Sequence, residues 1–318
     1  MLTSPRRTLL VIATALAVAT APRAAHAWNG AAHMVTGVLA YRTLLARDPA
    51  AAARAVALLR EHPDYQRDWR PYIVASHAPH DEMLFALAAR WPDDVRSDPN
   101  FHRGSWHYVN FPLLAPGDTM QPPASPAGDL LAVLPKTIAV LRDLATPAPQ
   151  KAIALCWLFH LTGDIHQPLH AVSLFGERWP EGDRGGNLFW VKPGVVDRPL
   201  NPHAYWDDVL LADHEARPNP VRAEADRLAT AFPRDVLATE VEVLDPVVWA
   251  RDESLPLARE AAYRDFRMAG AVDRDRAPVV PSGYKAAARK VAERRVALAS
   301  YRLAEELSLA LRREPDAP

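Results

Sequence analysis

The stretch KAIALCWLFHLTGDIHQPLH, residues 151–170, decides how the rest of the chain is read. Its apolar residues recur at three- and four-residue intervals, the period of an α-helix with a buried face. His160 and Asp164 stand at i and i+4 on that helix and so share one side. Pro168 then turns the chain, and His170 follows six residues after Asp164. A helix that offers imidazole and carboxylate together, with another His just past its end, suits zinc held by nitrogen and oxygen ligands.

The same period runs through GAAHMVTGVLAYRTLLA (30–46), AAARAVALLREH (51–62), MLFALAARW (83–91) and DLLAVLPKTIAVLRDL (129–144). Tyr284 to Arg312 reads as one long amphipathic helix with Arg and Glu on a solvated outer face. Pro and Gly cluster at 112–127, 176–186 and 192–202 and mark loops. Only NLFWV (187–191) ahead of KPG has strand character, as half of a small β-hairpin. Without repeats or a composition break, residues 28–318 read as a single all-α, mainly helical domain.

The first 27 residues have the form of an export signal. Arg6 and Arg7 make a positive start, Leu9 to Thr20 an apolar run, and Ala25-His26-Ala27 a cleavage site before Trp28. The apolar run is too short to span a membrane comfortably. SPRRTLL also partly resembles a twin-arginine signal. Cleavage would leave no membrane anchor and an exported protein, periplasmic or secreted. It would take the basic count from 37 to 34 against 38 acidic residues, a formal charge of −4. That charge, and the lack of a long basic stripe, exclude the phosphate-neutralising mode of duplex-DNA binders. The single Cys156 excludes an internal disulfide framework, so metal ions are a candidate for pinning the fold.

Further metal-ligand candidates follow. NPHAYWDD places His203 and Asp207 again at i and i+4, RWPDDVR offers Asp93 or Asp94, and SWHYVN offers His107. A lone His is usually a satisfied core or surface residue. Two His-x-x-x-Asp pairs and a His after Pro make that explanation poor for the whole set.

The order Trp28, His33, WPD, WHYVN, HLTGDIHQPLH, DRGGN and HAYWD resembles the zinc-dependent single-strand-specific nucleases of the S1/P1 type, to which mung bean nuclease belongs. These are distant relatives of bacterial zinc phospholipase C. The resemblance runs from Trp28 to Asp207, and the last helix is compatible with it. It implies three zinc ions. Asp93, in the WPD position, would hold the first with His107, His160 and Asp164. Asp164 would bridge to a second, completed by His33 and by the amine and carbonyl of Trp28 as mature N-terminus. His170, His203 and Asp207 would hold the third. His62, His77, His80, His102 and His214 are expected at the surface, and His166 off the ligand face.

The resemblance further implies hydrolysis of single-stranded DNA and RNA, and of 3′-nucleotides, to 5′-phosphate products by metal-activated hydroxide attacking phosphorus. No stable protein partner is expected. Gly185, Gly186 and Asn187 of DRGGN would receive the base. Asn110 stands where fungal members carry an acid beside the attacking water; it can orient water but cannot take its proton. Those members also stack the base on an aromatic that this chain lacks between Phe111 and Trp157. Phe175, Trp179 and Phe189 are substitutes. A phospholipase C-like or phosphomonoester hydrolase on the same framework is the alternative, and a non-catalytic zinc protein the remaining one.

Overall fold

A computed structural model describes residues 28–312 except 269. The expected leader, residues 1–27, lies outside the described residues. Eleven α-helices are present among the described residues: α1 Gly30–Arg47, α2 Pro49–Leu59, α3 Arg70–Ser76, α4 His80–Asp94, α5 Leu130–Arg142, α6 Ala148–Asp164, α7 Pro202–Asp207, α8 Pro218–Ala231, α9 Ala238–Val241, α10 Leu255–Leu257 and α11 Tyr284–Ala310. They form a mainly helical single domain, as the apolar periodicity predicts. No described helix is long and apolar enough to cross a membrane.

The larger core joins α1, α2, α4, α5, α6, α8 and most of α11. A smaller one gathers residues of 169–174, 189–191, α7, 258–268 and the start of α11. Helix α6 runs into the middle of the molecule, buried on every side from Leu155 to Asp164. Its C-terminal end, where unpaired carbonyls gather negative charge, favours a cation.

The expected hairpin is not the sheet that forms. Strands β1 (Phe111–Leu114) and β2 (Val172–Phe175) pair in parallel, with Phe111 opposite Val172. NLFWV contributes only isolated bridges, Trp190 to Ala271 and Val191 to Leu200. A parallel pair joins distant segments, whereas turn signals in a sequence announce only local antiparallel partners. This pairing matters to the site, because it lays the segment after His107 beside the segment after His170. Val109 N donates to His170 O at 2.9 Å, and His170 Nδ1 to His107 O at 2.6 Å.

The solvated face expected of α11 holds only in part, with Lys285 and Lys290 exposed. Arg295, Arg302 and Glu306 are buried, because α11 packs against α1, α6 and other elements of the bundle. Both guanidiniums meet Glu253: Arg295 Nη1 at 2.6 Å, Arg302 Nη1 and Nη2 at 2.7 and 2.6 Å. Burial pushes the Arg295 pKa down to about 10. Burial would raise the pKa of Glu253, but Arg302 and Arg295 outweigh it and lower it. Arg302 Nη1 also donates to His166 Nε2 at 2.8 Å, while His166 Nδ1 donates to Thr162 O at 2.7 Å. His166 is therefore a cross-link between α11 and the turn after α6, off the ligand face as expected. Glu253→Gln should leave two buried cations short of an anion and cost about 3 kcal/mol. At 2–4 °C per kcal/mol that is roughly 6–12 °C of melting temperature. An unchanged thermal unfolding curve would reject the network as a fastener.

Candidate metal centre

Three elements converge on α6. His33 lies one turn into α1, Asp93 at the end of α4, His107 at the end of the 3₁₀ turn Gly104–His107, and His160 and Asp164 on α6 itself. Close approach of α1 to α6 depends on Gly163. A Cβ there would stand 2.9 Å from His33 Nδ1, too close for any real side chain, and 4.0 Å from Trp28 Cδ1. Trp28 and His33 are both fully buried.

The two oxygens of Asp164 face different partners. Oδ2 lies 3.1 Å from His107 Nδ1 and 3.3 Å from His160 Nε2. Oδ1 lies 3.2 Å from His33 Nε2. Asp93 Oδ1 completes the first side, 3.4 Å from His160 Nε2 and 3.9 Å from His107 Nδ1. Asp94 instead pairs with Arg90 at 2.8 Å, so Asp93 is the carboxylate facing the cluster. Burial would raise the Asp93 pKa, but His160, Arg96 and His107 outweigh it and hold it well below the usual range. Burial, opposed by His160, pushes Asp164 well above it.

A further group forms where the turn Pro168–Ala171 meets α7. Asn201 caps α7 by accepting from Ala204 N at 2.7 Å, and Pro202 opens its first turn. His203 Nε2 stands 3.0 Å from His170 Nε2, with Asp207 oxygens 3.9 and 4.0 Å away. Gln167 Nε2 donates to Asp207 Oδ1 at 2.7 Å. Gln167, in the quoted motif, and Arg96, 2.6 Å from Asp93, are the supporting residues that the sequence reading passed over. Their spacing beside ligand candidates was the available signal.

The donor set fits zinc. His170 Nδ1 and His203 Nδ1 each donate to a carbonyl, His107 O and Gly185 O, so in the neutral rings both Nε2 atoms carry lone pairs. Two lone pairs 3.0 Å apart repel unless a proton or a cation lies between them. A cation satisfies both together with Asp207. His160 follows the same rule, since Nδ1 donates to Ala89 O at 2.9 Å and Nε2 faces His107 Nδ1, also at 2.9 Å. Fixing one ring nitrogen so that the other can ligate is a common support of metal-bound His. Tetrahedral zinc with bonds of about 2.0–2.1 Å holds its ligand atoms about 3.3 Å apart, close to the separations in the first cluster. Asp93 Oδ2, Asp164 Oδ1, Asp207 Oδ2 and His107 Nε2 are all buried without a hydrogen-bond partner among the described residues. Three compact groups result: His33-His160-Asp164, Asp93-His107-His160 and His170-His203-Asp207.

The DRGGN turn lies directly on the last group. Gly185 has φ +64°, and a Cβ on it would meet Leu169 O at 2.2 Å and His203 Nδ1 at 3.2 Å. Asp183 holds the turn by accepting from Leu174 N, Gly186 N and Tyr263 Oη. Burial pushes its pKa up to about 6. Asn187 is half-buried and spends one amide N–H on Arg184 O. Asn110, just before β1, is half-buried, with its N–H bonded to Ala127 O. Of the three candidate stacking aromatics, Phe175 and Phe189 are core residues; Trp179 is half-buried and has Arg178 over its ring at 4.8 Å.

The remaining histidines divide. His77, His102 and His214 are exposed and His80 is half-buried. His62 corrects the surface expectation: it is buried, stacked on Trp69 at 4.3 Å and edge-on to Trp91 at 4.7 Å. Burial lowers its pKa to about 4, so it is a neutral core residue.

Comparison with known proteins agrees with this arrangement. Stretches of 121 residues are 30% identical to Endonuclease 3 and 31% identical to Endonuclease 4 of Arabidopsis thaliana. Each alignment covers 35% of this chain and 38% of the relative, so the match spans little more than a third of those curated proteins. The family model described as S1/P1 Nuclease matches residues 28–312, from Trp28 through all three His/Asp groups to the end of the last helix. By that match, the chain belongs to the S1/P1 nuclease family.

Proposed function

We propose that this chain is an exported, zinc-dependent nuclease and 3′-nucleotidase that hydrolyses single-stranded DNA and RNA to 5′-phosphate nucleotides. One observation carries the reading: three His/Asp groups, buried except for half-buried Asp93, two of them joined through the carboxylate of Asp164, inside a chain of this family. Zinc bound at these groups supplies Lewis acidity and lowers the pKa of a coordinated water towards neutrality.

The chain's own residues do the rest. Asp93, His107, His160 and Asp164 would hold one ion, Asp164 with His33 and Trp28 a second, and His170, His203 and Asp207 a third. The carbonyls of Ala89, His107 and Gly185 fix the imidazole tautomers, and Gln167 fixes Asp207. These rigid supports keep the ligands from collapsing onto one another, which helps hold a reactive geometry ready. A base received at Gly185, Gly186 and Asn187, beside His203, would favour a nucleotide over a lipid headgroup. Asn110 would orient water by hydrogen bonds alone. A net-acidic protein can still draw a polyanion here, because local charge in a cleft outweighs the total.

The test is a parallel assay of zinc-replete protein starting at Trp28 on single-stranded DNA, RNA, 3′-AMP and phosphatidylcholine, before and after chelation. The first three should be cleaved and the lipid spared. Chelation should abolish cleavage and lower the melting temperature, since ligand residues from separate elements are tied by the metal. Full activity and an unchanged melting temperature after verified zinc removal would reject the centre. Turnover of phosphatidylcholine alone would reject the nuclease.

A further inference from the structure

We infer that Asn29 is a positioning residue: it clamps the N-terminal residue Trp28 onto the segment that carries Asp207, and so presents the Trp28 backbone to the metal site. The inference rests on the proposed ligand role of Trp28. Asn29 is 4% exposed and every polar group of its side chain is engaged. Its Oδ1 accepts from Ala32 N at 2.9 Å, capping α1. Its Nδ2 donates both to Asp208 Oδ1 at 2.7 Å and to Leu211 O at 2.6 Å. The amide orientation is unambiguous, because Ala32 N–H can only donate and Leu211 O can only accept.

A helix cap alone needs none of the two donors; Ser, Thr or Asp would cap equally well. The donors reach a segment some 180 residues away in sequence, which begins at the ligand candidate Asp207. The backbone adds a fourth bond, Asn29 N to Asp207 O at 3.3 Å. That N–H belongs to the peptide unit joining Trp28 to Asn29. The unit is planar and trans, so anchoring its N–H also sets the direction of the Trp28 carbonyl. Of the residues with short side chains, Asn alone offers one acceptor and two donors to do all of this. The N-terminal ligand and the His170-His203-Asp207 group are thereby referenced to the same stretch of backbone.

The test uses mature protein beginning at Trp28, with Asn29→Ser and Asn29→Asp beside the wild type. Ser keeps a cap acceptor and loses the Nδ2 donors. Asp also keeps the cap but turns a carboxylate towards Asp208. Zinc per chain is measured across a chelator-buffered zinc series, and melting temperature with and without zinc. The weakest-held zinc should bind about tenfold or more less tightly in Asn29→Ser, as for other lost metal-site supports, and less tightly still in Asn29→Asp. The Asn29→Ser melting temperature should fall less without zinc, where only the two lost hydrogen bonds count, than with it, so the increment added by zinc shrinks. Three zincs at wild-type affinity in Asn29→Ser would overturn the clamp. So would an equal drop in melting temperature with and without zinc, which marks a purely structural role. A control with Met ahead of Trp28 separates the two ideas. If it loses a zinc while Asn29→Ser keeps all three, only the clamp fails; if it keeps all three, the ligand role of Trp28 fails and the clamp with it.

Discussion

Asp164→Asn protein is expected to hold fewer than three zincs per chain and to lose about 10⁴-fold or more in hydrolysis. The carboxylate faces His107 and His160 through one oxygen and His33 through the other, all within 3.3 Å. An amide keeps one oxygen, so at most one side retains an acceptor; the other receives N–H protons where an anion stood. The residue is fully buried, so bulk water cannot take over the vacated role. A neutral amide also removes the negative charge that lets two cations approach the same residue. Each ion contributes several kcal/mol to the transition state, and every 1.36 kcal/mol is a factor of ten in rate. His203→Ala is the contrast. It takes one ligand from the group beside α7, so it should cost that zinc alone and leave the other two. Metal content by mass spectrometry, with rates on single-stranded DNA, decides the matter. Three zincs in Asp164→Asn, with a rate within tenfold of wild type, would show that the bridge lies elsewhere.

The helices and this pair of groups were legible in the sequence for the same reason. Periodicity at 3.6 residues is a local signal, and it both announces α6 and puts His160 over Asp164. The same argument brought out His203 and Asp207. Partners that meet through the fold leave no such trace. The charges of α11 look like a wet face because sequence spacing cannot show that Glu253 arrives from another element to neutralise Arg295 and Arg302. His62 reads as an ordinary surface His until Trp69 and Trp91 close around it. Four-residue strands paired in parallel across some sixty residues carry no turn signal, whereas a Gly/Pro-flanked NLFWV suggests a hairpin that shrinks to single bridges. Asn29 shows the limit most clearly: no spacing in the sequence points to Asp208 and Leu211, the partners of its amide.

One extra residue ahead of Trp28 should cost about 10³-fold in activity, from the loss of a single zinc. A free α-amine titrates near ~8, so a bound cation readily selects its neutral, ligating form. With any residue ahead of it the Trp28 nitrogen becomes a planar amide with almost no basicity, and the new terminal amine lies about 3.5 Å further along the chain. The chain cannot slide to compensate. Trp28 is fully buried against Gly163, and the next residue is fastened to Asp207, Asp208 and Leu211. That leaves His33 and Asp164 to hold the ion alone, too few ligands for tight binding. Export and metal assembly would then be coupled through one peptide bond, with protein that keeps its leader inactive until Ala27 is removed. Trp28→Phe with nothing ahead of it should keep much of the activity, because the proposed ligating atoms are backbone atoms. Its cost should fall on stability, since a smaller ring leaves a gap beside α6. The comparison takes three N-terminally sequenced forms on single-stranded DNA at saturating zinc: one starting at Trp28, one with Met ahead of it, and the Trp28→Phe variant. If the first two turn over equally fast, the terminal amine has no part in the site, and His33 must find its remaining ligands in another residue.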